Sequence, residues 1–111
     1  MTMTYNYYRT LIGEYINLGR DADRLLAEIG FPPGLDLDAD GLAQSTRIIA
    51  AAADNDIDRL HTASGMNMAD FARKFGLPYR TIQDWCAARR KPPEYLSILI
   101  GYVLVTELRH D

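Results

Sequence analysis

The stretch Met68–Cys86, MADFARKFGLPYRTIQDWC, decides the fold of this 111-residue chain. Asn67 stands where it can cap a helix that runs to Phe75. Gly76 ends that helix, because glycine enters positive φ at no steric cost. Pro78 opens a second helix, which the spacing carries to about Ala88. Arg89, Arg90 and Lys91 follow, and Pro92-Pro93 keeps that segment out of a helix.

Two short helices with a tight turn between them form a helix-turn-helix, and that motif makes demands on sequence. A small residue must sit where the helices cross, and Ala72 does. Four places later the turn needs a left-handed residue, and Gly76 supplies it. Apolar side chains must seal the angle between the helices. Phe71 and Phe75 do so before the turn, Leu77 inside it, and Ile82 and Trp85 after it.

The flanks extend the match. Gly65-Met66 leads to Phe71-Ala72, and Trp85-Cys86-Ala87-Ala88-Arg89-Arg90-Lys91-Pro92 follows the second helix. Residues 57–100 thereby resemble the phage-repressor-like helix-turn-helix domains, the xenobiotic-response-element family. That family approaches the motif with Gly-apolar-x-x-x-x-Phe/Leu-Ala and leaves it with Trp-Glu-x-Gly-x-x-x-Pro. Here the Trp and Pro match, while Cys86 and Ala88 replace the Glu and Gly, which bears on the loop that follows. The resemblance covers about 45 residues, implies about five helices there, and leaves residues 1–56 unexplained.

The resemblance also implies double-stranded DNA as partner. In such domains the second helix lies in the major groove with its N-terminal residues at the base edges. By position those residues are Tyr79, Arg80 and Gln83. Arginine can read guanine in a bidentate way and glutamine can read adenine. Asp84 has two roles open to it, accepting from cytosine or orienting Arg80. Lys74, Thr81, Arg89, Arg90 and Lys91 are placed for phosphates. The plain alternative for the charges is a solvated helix face.

Charge distribution favours the same segment. The chain has 12 Lys+Arg and 15 Asp+Glu, a net charge of −3. Residues 1–56 carry four basic and nine acidic side chains, residues 57–93 seven and three, and residues 94–111 one and three. The sums are −5, +4 and −2. Positive charge is therefore local to the reading segment, and local charge makes the electrostatic footprint.

Elsewhere the pattern is helical throughout, without strand alternation or repeats. Tyr8, Leu11, Ile12, Tyr15 and Ile16 recur at helical spacing within a first helix, roughly Thr4–Leu18. A second runs about Asp21–Ile29, with Ala22, Leu25, Leu26 and Ile29 on one face and Gly30 as its C-terminal cap. Phe31-Pro32-Pro33-Gly34 forces a turn, and an acidic loop, Leu35–Asp40, follows. Asp38 or Asp40 caps a third helix, about Gly41–Ala53, which we expect to break at Asp54-Asn55-Asp56. A short helix from Ile57 stops at Gly65, and a last one runs from Pro93 to about Leu108. The expected fold class is all-α: a compact helical bundle, with an acidic N-terminal extension (1–56) and a lambda-repressor-like domain (57–111).

The remaining signals are mostly negative. A single cysteine, Cys86, excludes an internal disulfide and any Cys-based zinc cluster, and fits a cytoplasmic protein. Asp36–Gly41 copies the opening of a calcium loop, but Arg47 stands where the bidentate Glu should be. His61 has no second ligand in sequence reach, and His110 lies in a fraying terminus. Cys86 reads as packing or surface. No metal, cofactor or catalytic constellation is expected. The longest nearly apolar run, Tyr95–Val105, has 11 residues, and spanning a bilayer takes about 20.

That run is apolar nearly all round, so one face is expected against a second subunit. Tyr95, Ile98, Leu99, Tyr102 and Val103 are the dimer-face candidates, with Tyr5, Tyr7 and Tyr8 weaker ones. The plain alternative is that the first and last helices pack on each other. Together these signals describe a sequence-specific regulator, a homodimeric repressor without catalysis, reading a two-fold symmetric operator. The alternative is an antitoxin-like or phage accessory protein whose acidic N-terminal part binds a small protein partner, with DNA binding used for autoregulation.

Overall fold

The computed structural model describes residues 3–28 and 39–108. Those residues form seven α-helices and no strand. Ile29, Gly30, the turn expected at 31–34, residues 35–38 with the first half of the calcium-like run, and His110 lie outside them, while residues 39–41 of that run begin a helix.

Helix α1 spans Tyr5–Asn17, and the Thr4 hydroxyl accepts from the Tyr7 N–H at its start. Helix α2 spans Ala22–Glu28, where the Asp21 carboxylate accepts from the Arg24 N–H. Helix α3 spans Ala39–Ala53, with Asp40 already inside its first turn. Helix α4 spans Ile57–Ser64 and is capped by Asp56, which accepts from the Arg59 N–H.

The expected break between α3 and α4 is a left-handed turn. Asn55 takes φ 56°, and the Asp56 N–H returns to the Ala51 carbonyl at 2.9 Å. Asparagine tolerates this region because its short amide finds local partners. Here the amide donates to the Pro92 carbonyl (2.8 Å) and accepts from the Ser97 hydroxyl.

Helix α5 spans Met68–Lys74, α6 spans Tyr79–Cys86, and α7 spans Glu94–Thr106. Asn67 caps α5, accepting from the Asp70 N–H at 2.8 Å. Pro78 and Pro93 sit one place before their helices with ψ 139°, so each presets the approach to the first turn. The last two helices each end about two residues earlier than their spacing suggests.

Helix α3 is the hub and touches α1, α2, α4 and α7. Ile48, Ile49, Ala50, Ala51 and Ala52 are all buried, covering every side of its second half. The run of alanines lets α7 approach closely. Gly101 is the contact point, where an added Cβ would meet the Tyr8 hydroxyl and lie 2.8 Å from the Ala52 Cβ. The same hydroxyl donates to the Ile98 carbonyl at 2.7 Å.

The charge boundary at residue 56 is thus not a packing boundary. One apolar cluster takes Tyr8, Leu11 and Ile48 from one side of it and Leu60, Ile100 and Leu104 from the other. Residues 57–108 hold four helices rather than the implied five, and α3 packs on two of them, α4 and α7. Ile16, expected on the buried stripe of α1, is instead exposed near the end of that helix. No helix among the described residues is long and apolar enough to cross a membrane.

Candidate nucleic-acid interface

Helices α5 and α6 meet through the residues that the spacing selected. Phe71, Ala72 and Ile82 are buried, and Phe75, Leu77 and Trp85 are half-buried against them. The Phe71 ring packs on Phe75 at 5.0 Å and edge-on to His61 at 5.5 Å. The turn between the helices has Gly76 at φ 65°, with the Leu77 N–H returned to the Ala72 carbonyl at 2.9 Å. This back-bond satisfies an orphan carbonyl of α5 and aims the chain into α6.

With Ile82 fixed inward, the helical period turns Arg80 outward, whereas Tyr79, three residues before Ile82, is exposed at the first position of the helix. Tyr79 is 48% exposed, and the Arg80 side chain 81%. Gln83, one turn on, is half-buried. Tyr79, Arg80 and Gln83 share a wall of an open concavity of about 690 Å³ with Arg89. The three expected base readers are therefore brought together.

Asp84 differs from the other three. Its side chain is only 14% exposed and sits among three guanidinium groups, Arg89 at 3.1 Å, Arg80 at 3.6 Å and Arg90 at 3.7 Å. The Arg89 hydrogen bond, with the charges of Arg80, Arg89 and Arg90, holds its carboxyl below the usual carboxylate range. Of the two roles left open, orienting arginines fits this position. Its carboxylate is engaged by Arg89 in the structure. Three guanidinium charges against one carboxylate leave the cluster positive, and exposed Lys91 adds to it.

The other expected phosphate contacts divide. Arg89 and Arg90 are exposed beside α6, and Thr81 is half-buried on it. Lys74 is turned elsewhere: its Nζ lies 2.7 Å from a Glu107 carboxylate oxygen, just beyond α7. That pairing makes it a tie between α5 and the end of α7 rather than a free cation.

Ala88 follows α6 with φ 59°, and the Arg89 N–H returns to the Asp84 carbonyl at 2.9 Å. This is the position where the expected motif pattern has glycine. The loop keeps the left-handed conformation with alanine in it.

The dimer-face candidates also divide. Tyr95 and Leu99 are 67% and 45% exposed on one side of α7. Ile98, Tyr102 and Val103 are half-buried. Tyr102 is committed within the chain. Its ring packs on Tyr5 and Tyr8, and its hydroxyl donates to the Met3 carbonyl at 3.1 Å. Tyr8 is fully buried, so Tyr5 and Tyr8 serve to pack α1 against Tyr102 of α7.

Spacing missed one grouping altogether. Asp58 and His61 of α4 and Cys86 of α6 bring their ligand atoms within 4.8 Å of one another. Asp58 lies three residues before His61 on one helix, so a second ligand was in sequence reach after all. Cys86 is delivered by the packing of α4 on α6. Burial, with the carboxylates of Asp58 and Asp56 nearby, pushes its thiol up to about 11. It is therefore neutral at ordinary pH rather than a reactive thiolate.

No family model, no curated protein and no solved structure matches this chain, so its own geometry carries the functional argument.

Proposed function

We propose that this protein is a sequence-specific regulator that binds double-stranded DNA in the cytoplasm, with α6 as the reading helix. One observation carries the reading. The outward face of α6 presents Tyr79, Arg80 and Gln83 beside Arg89 and Arg90, with the arginines gathered around Asp84. A helix that displays bidentate base readers and is flanked by phosphate-seeking cations suits a major groove. The chain as a whole is acidic, at −3, so this concentration of positive charge is not a by-product of composition.

Exposed Tyr95 and Leu99 on α7 favour a homodimer. Two copies would present their reading helices about 34 Å apart, one turn of DNA, and so read a two-fold symmetric operator. Regulation would follow from occupancy of the promoter, without a catalytic step.

Selection of bound fragments from a random DNA pool at two salt concentrations tests this reading. Arg80→Ala should relax preference at one base pair, at a cost of about 1–3 kcal/mol. Replacing Arg89 and Arg90 by Ala should weaken all sequences alike and reduce the salt slope by about 1 per lost phosphate contact. Absence of any bound fragment at low salt would overturn it.

A further inference from the structure

We infer that Asp58, His61 and Cys86 form a binding site for a zinc-class divalent cation that clamps α4 to α6. The argument begins with placement. Asp58 and His61 are three residues apart, which puts both on one face of α4. Cys86 is the last residue of α6. One oxygen, one nitrogen and one sulfur donor then lie within 4.8 Å of one another. A tetrahedral zinc site with bonds of about 2.0–2.3 Å spaces its donors roughly 3.3–3.8 Å apart. The gap left to close is about 1 Å, a distance on the scale of side-chain rotation.

The donor set selects the cation class. A thiol and an imidazole disfavour magnesium and calcium, which take oxygen donors, and favour zinc and its transition-metal neighbours. Three protein donors leave one position of the tetrahedron for water. Asp58 and Cys86 also line the open concavity of α6, so that position is reachable from solvent.

The imidazole of His61 also has nitrogen capacity to spare. The Nε2 atom of His61 is buried and has no hydrogen-bond partner among the described residues. A buried nitrogen left unpaired is unfavourable. The ring is held edge-on to Phe71 at 5.5 Å, so it is positioned by packing rather than by a polar bond. The imidazole is thus fixed in place with nitrogen capacity unused, beside a carboxylate and a thiol.

Binding would join the end of the α6 helix to the middle of α4, and the site stands whether or not α6 reads DNA. The test uses the untagged, full-length protein, reduced with a phosphine, and zinc titrated against a chromophoric chelator. The expected result is one zinc per chain. Cys86→Ser and Asp58→Asn should each weaken it by more than the roughly 10–100-fold that loss of an outer-shell partner costs. Cobalt in place of zinc should show a thiolate-to-metal charge-transfer band, absent in Cys86→Ser. His110→Ala, which removes the chain's other histidine, should leave binding unchanged. Circular dichroism of each variant separates lost binding from lost fold, and the near-isosteric Cys86→Ser keeps the test valid if a His61 variant unfolds. No stoichiometric zinc in the wild type, equal affinity in folded Cys86→Ser, or dependence on His110 would each overturn the assignment.

Discussion

The turns on the two sides of α6 share a backbone path and differ in the residue that must follow it. Before the helix, Gly76 takes φ 65° and the Leu77 N–H returns to the Ala72 carbonyl at 2.9 Å. After it, Ala88 takes φ 59° and the Arg89 N–H returns to the Asp84 carbonyl at the same 2.9 Å. A left-handed residue with a Cβ costs roughly 1–2 kcal/mol. The first turn is at ease with its own sequence. The second persists because its surroundings over-determine it. Asp84 grips Arg89 and Arg90 next to it, and Asn55 holds the Pro92 carbonyl further along the loop. The relaxed turn builds the motif, while the strained one carries the cations we assign to phosphate binding.

The largest expected effect comes from removing that outside support. Asn55→Ala deletes the bonds to the Pro92 carbonyl and the Ser97 hydroxyl, both of which belong to buried residues. It also places alanine at φ 56°. Unpaired buried groups and the left-handed penalty together predict a loss of about 2–4 kcal/mol in urea denaturation. A loss below about 1 kcal/mol would mean that the turn after α6 holds itself, and the comparison would collapse.

Next is Gly76→Ala. Nothing lies within 4 Å of the Cβ it would add, so its cost is conformational and not steric. The left-handed penalty of about 1–2 kcal/mol, less about 0.4–1 kcal/mol for the stiffer unfolded chain, gives an expected loss of about 1 kcal/mol, seen as a lower denaturation midpoint at unchanged slope. No loss at all would show that φ 65° is not enforced there.

Protonation probes the support beside Asn55. Asp54 accepts from Tyr15 at 2.8 Å, Arg59 at 2.8 Å and Arg20 at 2.6 Å. Burial opposes its charge, but bonds from Arg59, Tyr15 and Arg20 outweigh it and hold the carboxyl below its ordinary value. A depressed carboxyl stabilises the fold above its unfolded pKa, about 3.9. That contribution is lost as pH falls through the folded-state value. The pairs are partly exposed and screened, so the effect is about 1 kcal/mol or less. Wild type should lose stability more steeply than Asp54→Asn as pH drops below about 4. Parallel acid limbs would remove Asp54 from the support.

These cases also show what sequence could tell. The turn at Gly76 was legible because glycine advertises positive φ, and Pro78 and Asn67 mark the helix starts beside it. The turn at Ala88 was not, because alanine is a helix former and its conformation is imposed by distant partners. The outward position of Arg80 agrees with the helical period once Ile82 is placed inside, whereas the exposure of Tyr79, three residues before Ile82, does not follow from it. The engagement of Lys74 with Glu107 and the meeting of Cys86 with Asp58 and His61 depend on how α4, α5, α6 and α7 pack. Separations of 33 and 25 residues carry no local signal of that kind. The shared core across residue 56 escaped for a related reason. Charge changes sign there, but the buried faces of α3 and α7 do not record which partner they meet.

The smallest effect is the most direct test of the comparison. Ala88→Gly removes the Cβ that makes the second turn unlike the first. Relief of the left-handed penalty contributes about 1–2 kcal/mol. Greater freedom of the unfolded chain takes back about 0.4–1 kcal/mol. The methyl is exposed, so no burial is lost. The net is a gain of up to about 1 kcal/mol, opposite in sign to Gly76→Ala. Combining the two substitutions exchanges the residues between the turns, and the double variant should regain part of what Gly76→Ala loses. If Ala88→Gly instead destabilises, the alanine turn is not strained and its neighbours need not hold it. The arginines after α6 would then owe their position to the backbone itself, and Asp84 would serve only to gather their charge.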